Sequence, residues 1–521
     1  MAKQMFGSAG TLVLAAVALG CGAHRSSGFD VGASSTNGAG GPNGVGGGSN
    51  GVAGTSGTPS NGALGAIAMS GTMSAPATSG KDKGPSCPGG GSTTISGTVY
   101  DPSFQDPLYN ITVYVPKSPV LPALAPGASC NSCAALYPEI VASAVTDATG
   151  HFVIQDAPPG PNIPLVVQTG KWRKEYTLAN VNLCTDNPQP DKSLRLPKNQ
   201  IHGDGNLPDI AISTGGADSL ECLLLRIGVD ADEYVGGGGG PGHIHIFTGG
   251  GGASTMPASP ESFMNLWDTT ADMMKNDVLL LSCEGAETAP MTVANQQSLV
   301  DYSAAGGRVF ASHYHYAWFN TGPFGNANLA TWTPGGNTVD DGMAFPGDVI
   351  TTLANGTTFP EGVALKQWLG VVNALTNGQL PIWFARHNAD VGVPNRPPSQ
   401  PWIALDPTVP APDSNATTYF SFDTPIGKNP ACGRVVYSDL HVSGGPGHNA
   451  PGVPADYVAP RVLMPGPVRP RGDRMMSIVP SGCAMHPLTP QEKALEFMIF
   501  DLSSCLVPIG GVPMAPPQSP R

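Results

Sequence analysis

The chain has 521 residues, with 69 glycines, 53 prolines and only 12% charged residues. That length suffices for two or three domains and a sizeable buried core, and the glycine and proline excess points to long unstructured stretches. Acidic residues outnumber basic ones, 38 to 25, for a formal net charge of -13; no basic stretch is long enough to track a phosphate backbone, which argues against nucleic acid as a partner.

The first element is a short apolar run, Thr11–Leu19, behind a sparse basic start at Lys3. It falls well short of the roughly 20 residues that span a bilayer but suits the core of an export signal. Small residues then flank a bond that precedes a thiol, in Ala18-Leu19-Gly20-Cys21. These residues resemble the lipobox of bacterial lipoproteins. The resemblance implies a signal peptide over residues 1–21, acylation of Cys21, and a lipid bilayer as the partner of the acylated Cys21. Gly22, rather than Asp, follows, and by the same resemblance this implies the outer membrane or cell surface. One acyl chain gives only marginal binding, so stable anchoring needs two or more. No later segment holds about 18 uninterrupted apolar residues, so no spanning helix is predicted. Residues 22–91 are built of Gly, Ser, Ala, Thr, Asn and Pro with almost no aromatics. They cannot offset the entropy of ordering and read as a disordered tether about 50 Å in root-mean-square extent.

Short alternating strands punctuated by turns follow over residues 93–196. They are Ile95–Tyr100, Asn110–Pro116, Val141–Thr146, His151–Ile154 and Ile163–Gln168, with turns at Asp147–Gly150 and Ala157–Gly160; this spacing predicts an all-β sandwich. Gly97-Thr98-Val99 with Asp101-Pro102, Thr146–Phe152 and Pro158-Pro159-Gly160 resemble the carboxypeptidase regulatory-like family. That resemblance implies a non-catalytic, immunoglobulin-like or transthyretin-like sandwich attached to other domains, here with an insertion near Lys117–Ile140. Aromatic and basic residues gather at Lys171–Tyr176, which reads either as a solvated hairpin or as a ligand face.

From residue 205 to 507 the pattern changes to α/β. Strands are predicted at Leu207–Ser213, His243–Phe247, Asp277–Ser282, Arg308–Ser312, Pro381–Phe384, Thr418–Phe422 and Arg434–His441. Helices are predicted at Ser219–Gly228, with Asp218 as a cap, and at Ser262–Lys275, Ala294–Ala305, Phe359–Leu375 and Thr489–Leu502. Thr489, Pro490 and Glu492 form a capping-box start, and the last helix is expected to bury Ala494, Leu495, Met498 and Ile499. Residues 388–417 read as a Pro-rich insertion, 442–472 as loop, and 508–521 as a disordered tail. The expected fold class is therefore multidomain, a sandwich followed by an α/β domain with a mainly parallel sheet. Leu280–Gly285, Gly306–His313 and Gly433–His441 resemble the ThuA-like group of the class I glutamine-amidotransferase-like folds. This resemblance bears on fold and implies no particular activity.

Two constellations could carry chemistry. Cys283 follows a strand, where a nucleophile would sit at the carboxyl edge of a sheet; His313 or His441 could act as its base and Glu284 could orient it. Burial or a disulfide accounts for Cys283 equally simply. The second constellation is histidine-rich. His243 and His245, then His313 and His315, recur at spacing i,i+2 on strand ends, His441 ends another strand with Asp439 on its face, and His387 follows a further one. Imidazoles and carboxylates suit zinc, copper or another divalent metal. Structural histidines or a metal-free ligand cleft remain open alternatives. The glycine run Gly236–Gly242 lacks the residues of a phosphate loop, so no nucleotide cofactor is expected.

There are ten cysteines, and export permits disulfides. Cys483 with Cys505, and Cys184 with Cys222, are the expected pairs; Cys130-Asn131-Ser132-Cys133 reads as a structural disulfide rather than a redox centre. The leading functional expectation is a surface-anchored binding or structural lipoprotein that recognises an envelope component or glycan. The alternative is a metal-dependent hydrolase with histidines at the carboxyl edge of the α/β sheet.

Overall fold

The computed structural model describes residues 87–518 except 131–135, 250–260, 288–290, 337, 340–343, 384, 393–397, 442–482 and 484–485. Cys21 with the segment read as a signal peptide, the stretch read as a tether as far as residue 86, Cys133 and the loop read over 442–472 lie outside the described residues. The protein is β-rich. No helix among the described residues is long and apolar enough to cross a membrane.

The strands β1 Thr94–Tyr100, β2 Thr112–Pro116, β3 Ile140–Val145, β4 His151–Ile154, β5 Gly160–Thr169, β6 Trp172–Val181, β7 Asp186–Pro188 and β8 Leu194–Arg195 form two four-stranded sheets. One has the order β4-β1-β7 with β8 also on β1, and the other has the order β3-β2-β5-β6. Strand β4 alternates exposed and buried along His151-Phe152-Val153-Ile154, as expected of a strand with one face on a core.

A second, larger sheet contains β9 Ile210–Ser213, β10 Tyr234–Gly236, β11 Ile244–Thr248, β12 Val278–Leu281, β13 Arg308–Ser312, β14 Phe345–Val349, β15 Leu380–Ile382, β16 Gln400–Leu405, β17 Thr417–Thr424 and β18 Gly433–Ser438. Its order is β10-β11-β9-β12-β13-β18-β17-β16-β14-β15. The strands from β10 to β18 in that order run parallel. Every pairing beyond β18 is antiparallel. The sheet is thus mixed rather than mainly parallel. All four residues of β9 and of β12 are buried, because neighbours cover both faces. Strand β16 lies inside the stretch read as a Pro-rich insertion; Pro401 occupies a register irregularity, where the ladder tolerates a missing N–H.

Four longer helices are α1 Leu220–Arg226, α2 Val293–Ala304, α3 Pro360–Val371 and α4 Pro490–Ser503. Thr292 with Asn295 caps α2, and Thr489 with Glu492 caps α4, both as capping boxes. The helix expected over 262–275 is instead two short turns, Met264–Trp267 and Thr270–Met273. Thr269 interrupts it, with extended backbone and a side chain that accepts from the Asp272 N–H.

The sandwich and the large sheet share one hydrophobic core. Trp172 meets Phe500 of α4 edge to face at 5.6 Å, and Tyr109 stacks on Phe497 at 5.6 Å. Lys171 Nζ reaches Asp277 Oδ1 at 2.5 Å in a largely buried pair. The segment Lys171–Tyr176 begins the second strand of a hairpin, but its first residues are a packed docking contact rather than solvated. The tail also packs: Gly510 N–H donates to Glu361 Oε2 at 3.3 Å and the Pro516 carbonyl accepts from Ser143 at 3.0 Å.

Three disulfides join Cys87 to Cys184, Cys130 to Cys432 and Cys222 to Cys483. Both expected pairs are corrected: Cys184 is bonded to Cys87 rather than Cys222, and Cys483 to Cys222 rather than Cys505. Proximity along the chain misled here, because tertiary packing brings together cysteines 97, 302 and 261 residues apart. Cys87 also orders the end of the stretch read as tether.

Candidate metal centre at the carboxyl edge

Ser213, Leu281, Ala311 and Tyr437 stand side by side across β9, β12, β13 and β18. Because these strands are parallel and in register, the loops that follow them open at a single edge, the position where open α/β sheets bind ligands. Those loops carry Asp218, Cys283 with Glu284, His313 with His315, and Asp439 with His441.

Asp218 is fully buried. Its loop is fastened to the next strand by Ala217 N–H and Asp218 N–H, which donate to the Cys283 carbonyl at 3.0 and 3.3 Å. Gly215 permits that approach, since a Cβ there would stand 2.0 Å from the Cys283 oxygen. The carboxylate faces two imidazoles. His441 Nδ1 lies 2.9 Å from Oδ1, and His313 Nδ1 lies 3.1 Å from Oδ2. The Ser312 hydroxyl also donates to Oδ2 at 3.2 Å. The two rings are 3.7 Å apart between centroids.

His313 has φ of 44°, left-handed backbone that costs about 1–3 kcal/mol when surroundings impose it. The Tyr437 hydroxyl holds that turn by donating to the His313 carbonyl at 2.8 Å. Both ring nitrogens of His313 are buried without an aligned hydrogen bond among the described residues. A buried imidazole left in that state is costly unless something else engages it. One ligand atom from each of Asp218, His313 and His441 lies within 4.8 Å of the others, a separation that a single cation can bridge.

Electrostatics agree with the geometry. Burial, together with the neighbouring His441, lowers His313 to about 4 despite Asp218. Burial pushes the Asp218 carboxyl up, but His441 and His313 outweigh it and hold the group well below the usual carboxylate range. At neutral pH the cluster thus offers an ionised carboxylate and a neutral His313 imidazole, the protonation states that metal binding requires. His441 is the partly exposed member, with 16% of its side-chain surface accessible.

The remaining expected ligands lie elsewhere or are already engaged. His315 is buried, and its Nε2–H donates to the Ser282 carbonyl at 2.9 Å. Its Nδ1 accepts from the Trp318 indole N–H at 3.2 Å. That assignment follows because a carbonyl only accepts and an indole only donates, and it leaves His315 no free lone pair for a metal. Asp439 accepts from the Asn388 N–H and lies against the Tyr437 hydroxyl, both at 2.9 Å, and burial raises it to about 7. Its place is to brace Tyr437 and the residue 388 turn.

His243 and His245 sit at the opposite, amino edge. Ile244 pairs with Ile210, the first residue of β9, so His243 precedes the sheet where His313 follows it. Five rows of residues separate the two positions, about 20 Å at the rise of a strand. His243 bonds Glu233 at 2.9 Å, and His245 Nδ1 bonds the Gly237 carbonyl at 3.0 Å. His387 is held between Asp390 and Asp413 at 3.1 and 3.0 Å. Cys283 is buried, and Glu284 Oε1 accepts from the Ser213 hydroxyl at 3.4 Å; both line the carboxyl edge beside the cluster.

Asp218 is the member that sequence reasoning assigned to a different role. It reads as a helix cap, yet the residue at the start of α1 is Ser219, and no side chain caps that helix. The available signal was positional: Asp218 follows a strand in the same way as His313 and His441.

No family model matches the chain, and no curated protein matches it. Among solved structures, mutant type II cohesin–X–dockerin complexes from Acetivibrio cellulolyticus contain chains 16% identical. These alignments cover 24% and 26% of this protein and 76% and 85% of those chains, with TM-scores of 0.14 and 0.16. A cytoplasmic protein from Salmonella typhimurium is 12% identical over 45% of this chain and 88% of its own, with a TM-score of 0.23. Likeness this low carries no argument about fold or activity.

Proposed function

We propose that this protein is an exported, lipid-anchored metalloprotein that binds a divalent cation, zinc foremost, through Asp218, His313 and His441, and that it is a hydrolase. The observation that carries the reading is the convergence of these three side chains at the carboxyl edge. The finer fold assignment, an α/β unit built on the parallel half of the large sheet, belongs to the same proposal. Three protein ligands leave a coordination position for water, the pattern of catalytic rather than structural zinc sites. A bound cation would supply a Lewis acid and an activated water at neutral pH. Asp218 and His313 form the buried floor and His441 the accessible rim. Tyr437 and Ser312 orient the ligands, and Glu284 stands on the same edge as an acid or base. The lipobox-like residues before Cys21 and the three disulfides support export, and the Gly- and Ser-rich sequence after Cys21, read as a tether, supports an envelope component or glycan as substrate.

Metal analysis of full-length protein purified without chelator tests the site. About one equivalent of metal is expected, and it should be lost in His441→Ala and Asp218→Ala. A metal-free protein whose hydrolytic activity nevertheless needs His441 would replace this reading with an Asp218–His441 dyad, for which the 2.9 Å contact at Nδ1 is the supporting observation. Metabolic labelling with a radioactive fatty acid tests the anchor, with label expected in the wild type and absent from Cys21→Ser.

A further inference from the structure

A second cluster of buried groups lies far along the chain from this site, where the sandwich meets α4. Glu496, in the middle of α4, is fully buried. Neither of its oxygens has a hydrogen-bond partner among the described residues if it is ionised. The charged groups facing it are Asp101 and Asp106, from the loop after β1, and Lys493 from its own helix.

None of these supplies a donor to an ionised Glu496. Lys493 Nζ donates to the Val372 carbonyl beyond α3 at 2.6 Å and lies 3.5 Å from Asp106 Oδ1. Asp101 is occupied by the Gln105 and Asp106 N–H groups at 2.7 and 3.2 Å and by the Ser103 hydroxyl. Glu496 therefore presents its carboxyl to that of Asp106 at hydrogen-bonding range. Two ionised carboxylates in that position, buried and without a shared donor, would repel, so one proton must lie between them.

We propose that Glu496 is a carboxylic acid in the folded protein and donates its proton to the Asp106 carboxylate, making the docking of the sandwich on α4 a proton-linked contact. The surrounding joint is well packed. Tyr109 stacks on Phe497, and the Trp368 indole N–H donates to the Pro107 carbonyl at 2.5 Å. Burial first, and then the charges of Asp101 and Asp106, push Glu496 well above the ordinary carboxylate range. Burial likewise raises Asp101 to about 7.

The folded protein then holds a proton that the unfolded chain releases near the ordinary glutamic acid value. Stability from this contact is complete below that value and falls as pH rises toward the folded-state value. One linked proton corresponds to about a tenfold fall in the folding equilibrium constant per pH unit.

Denaturant unfolding of the full chain with disulfides intact, from about pH 5 to about pH 9, tests this linkage. Glu496→Gln keeps shape and donor but cannot ionise, so its stability should exceed that of the wild type increasingly as pH rises, by up to about tenfold in equilibrium constant per unit. Parallel profiles would overturn the proposal. Should Glu496→Gln fail to fold, infrared spectroscopy of Asp101→Asn and Asp106→Asn decides. A protonated-carboxyl C=O stretch at neutral pH that persists in Asp101→Asn and moves in frequency in Asp106→Asn is the expected result, and the absence of a band that moves overturns the proposal. Stabilisation by added calcium at neutral pH that Glu496→Gln lacks would show a cation, not a proton, between the carboxyls, and would equally overturn it.

Discussion

The two His-x-His pairs of this chain share a spacing and have different fates. His243 and His245 enter the sheet at its amino edge, whereas His313 and His315 leave it at the carboxyl edge. At the amino edge each histidine finds a nearby partner, Glu233 or the Gly237 carbonyl. At the carboxyl edge the pair itself divides. His315 is closed off between Ser282 and Trp318, and His313 turns through left-handed backbone toward Asp218 and His441. A repeated motif on strand ends is thus informative only when the direction of each strand is known.

The sharpest way to break this comparison is to remove ligands at each edge. His313→Ala should weaken metal binding by more than about 100-fold, since losses of 10–100-fold already follow from mutating groups that only orient ligands. His243→Ala should retain stoichiometric metal. Equal loss in both, measured by competition with a chromophoric chelator, would show that the carboxyl edge is not special.

Within the carboxyl-edge pair, His315→Phe should cost about 2–4 kcal/mol in unfolding free energy, because it leaves the Trp318 indole N–H and the Ser282 carbonyl unpartnered in the interior. Metal stoichiometry should be unchanged. A variant that unfolds normally but loses metal would assign His315 to the site instead.

The same variant gives a pH test on chelator-treated protein. Burial lowers folded His315 to about 4, so between that value and the ordinary imidazole value near 6.5 the unfolded chain binds the extra proton. Stability from the neutral ring is present above the ordinary value and is lost as pH falls toward about 4. The gap between wild type and His315→Phe should therefore widen with rising pH through this window, by at most about 1.4 kcal/mol per unit. A gap independent of pH would remove protonation from the account of this histidine.

The smallest effect is expected from Tyr437→Phe. It deletes the hydroxyl that donates to the His313 carbonyl and contacts Asp439, for about 1 kcal/mol of stability and a weaker but measurable metal affinity. Affinity equal to the wild type would show that the His313 turn does not depend on this contact.

Local signals in the chain were legible wherever a few neighbouring residues suffice. Thr489, Pro490 and Glu492 start α4 as expected, and Ala494, Leu495, Met498 and Ile499 are buried, because caps and helical periodicity act over one or two turns. The alternation in β4 and the apolar run in β12 are equally local. Strand β16 was hidden by Pro401 and the prolines before it, and the break at Thr269 by an otherwise continuous helical pattern.

By itself the sequence determined five of the eight strands of the sandwich, the capped helices, and the strand-end positions of His313 and His441. Tertiary structure decided which strands run parallel, which cysteines meet, that Asp218 faces two histidines instead of capping a helix, and that His315 is spent on its neighbours. The physical reason is one of range. Periodicity and capping depend on residues a turn apart, whereas the centre depends on the common register of β9, β12, β13 and β18, which brings Asp218, His313 and His441 to one edge from positions up to 223 residues apart.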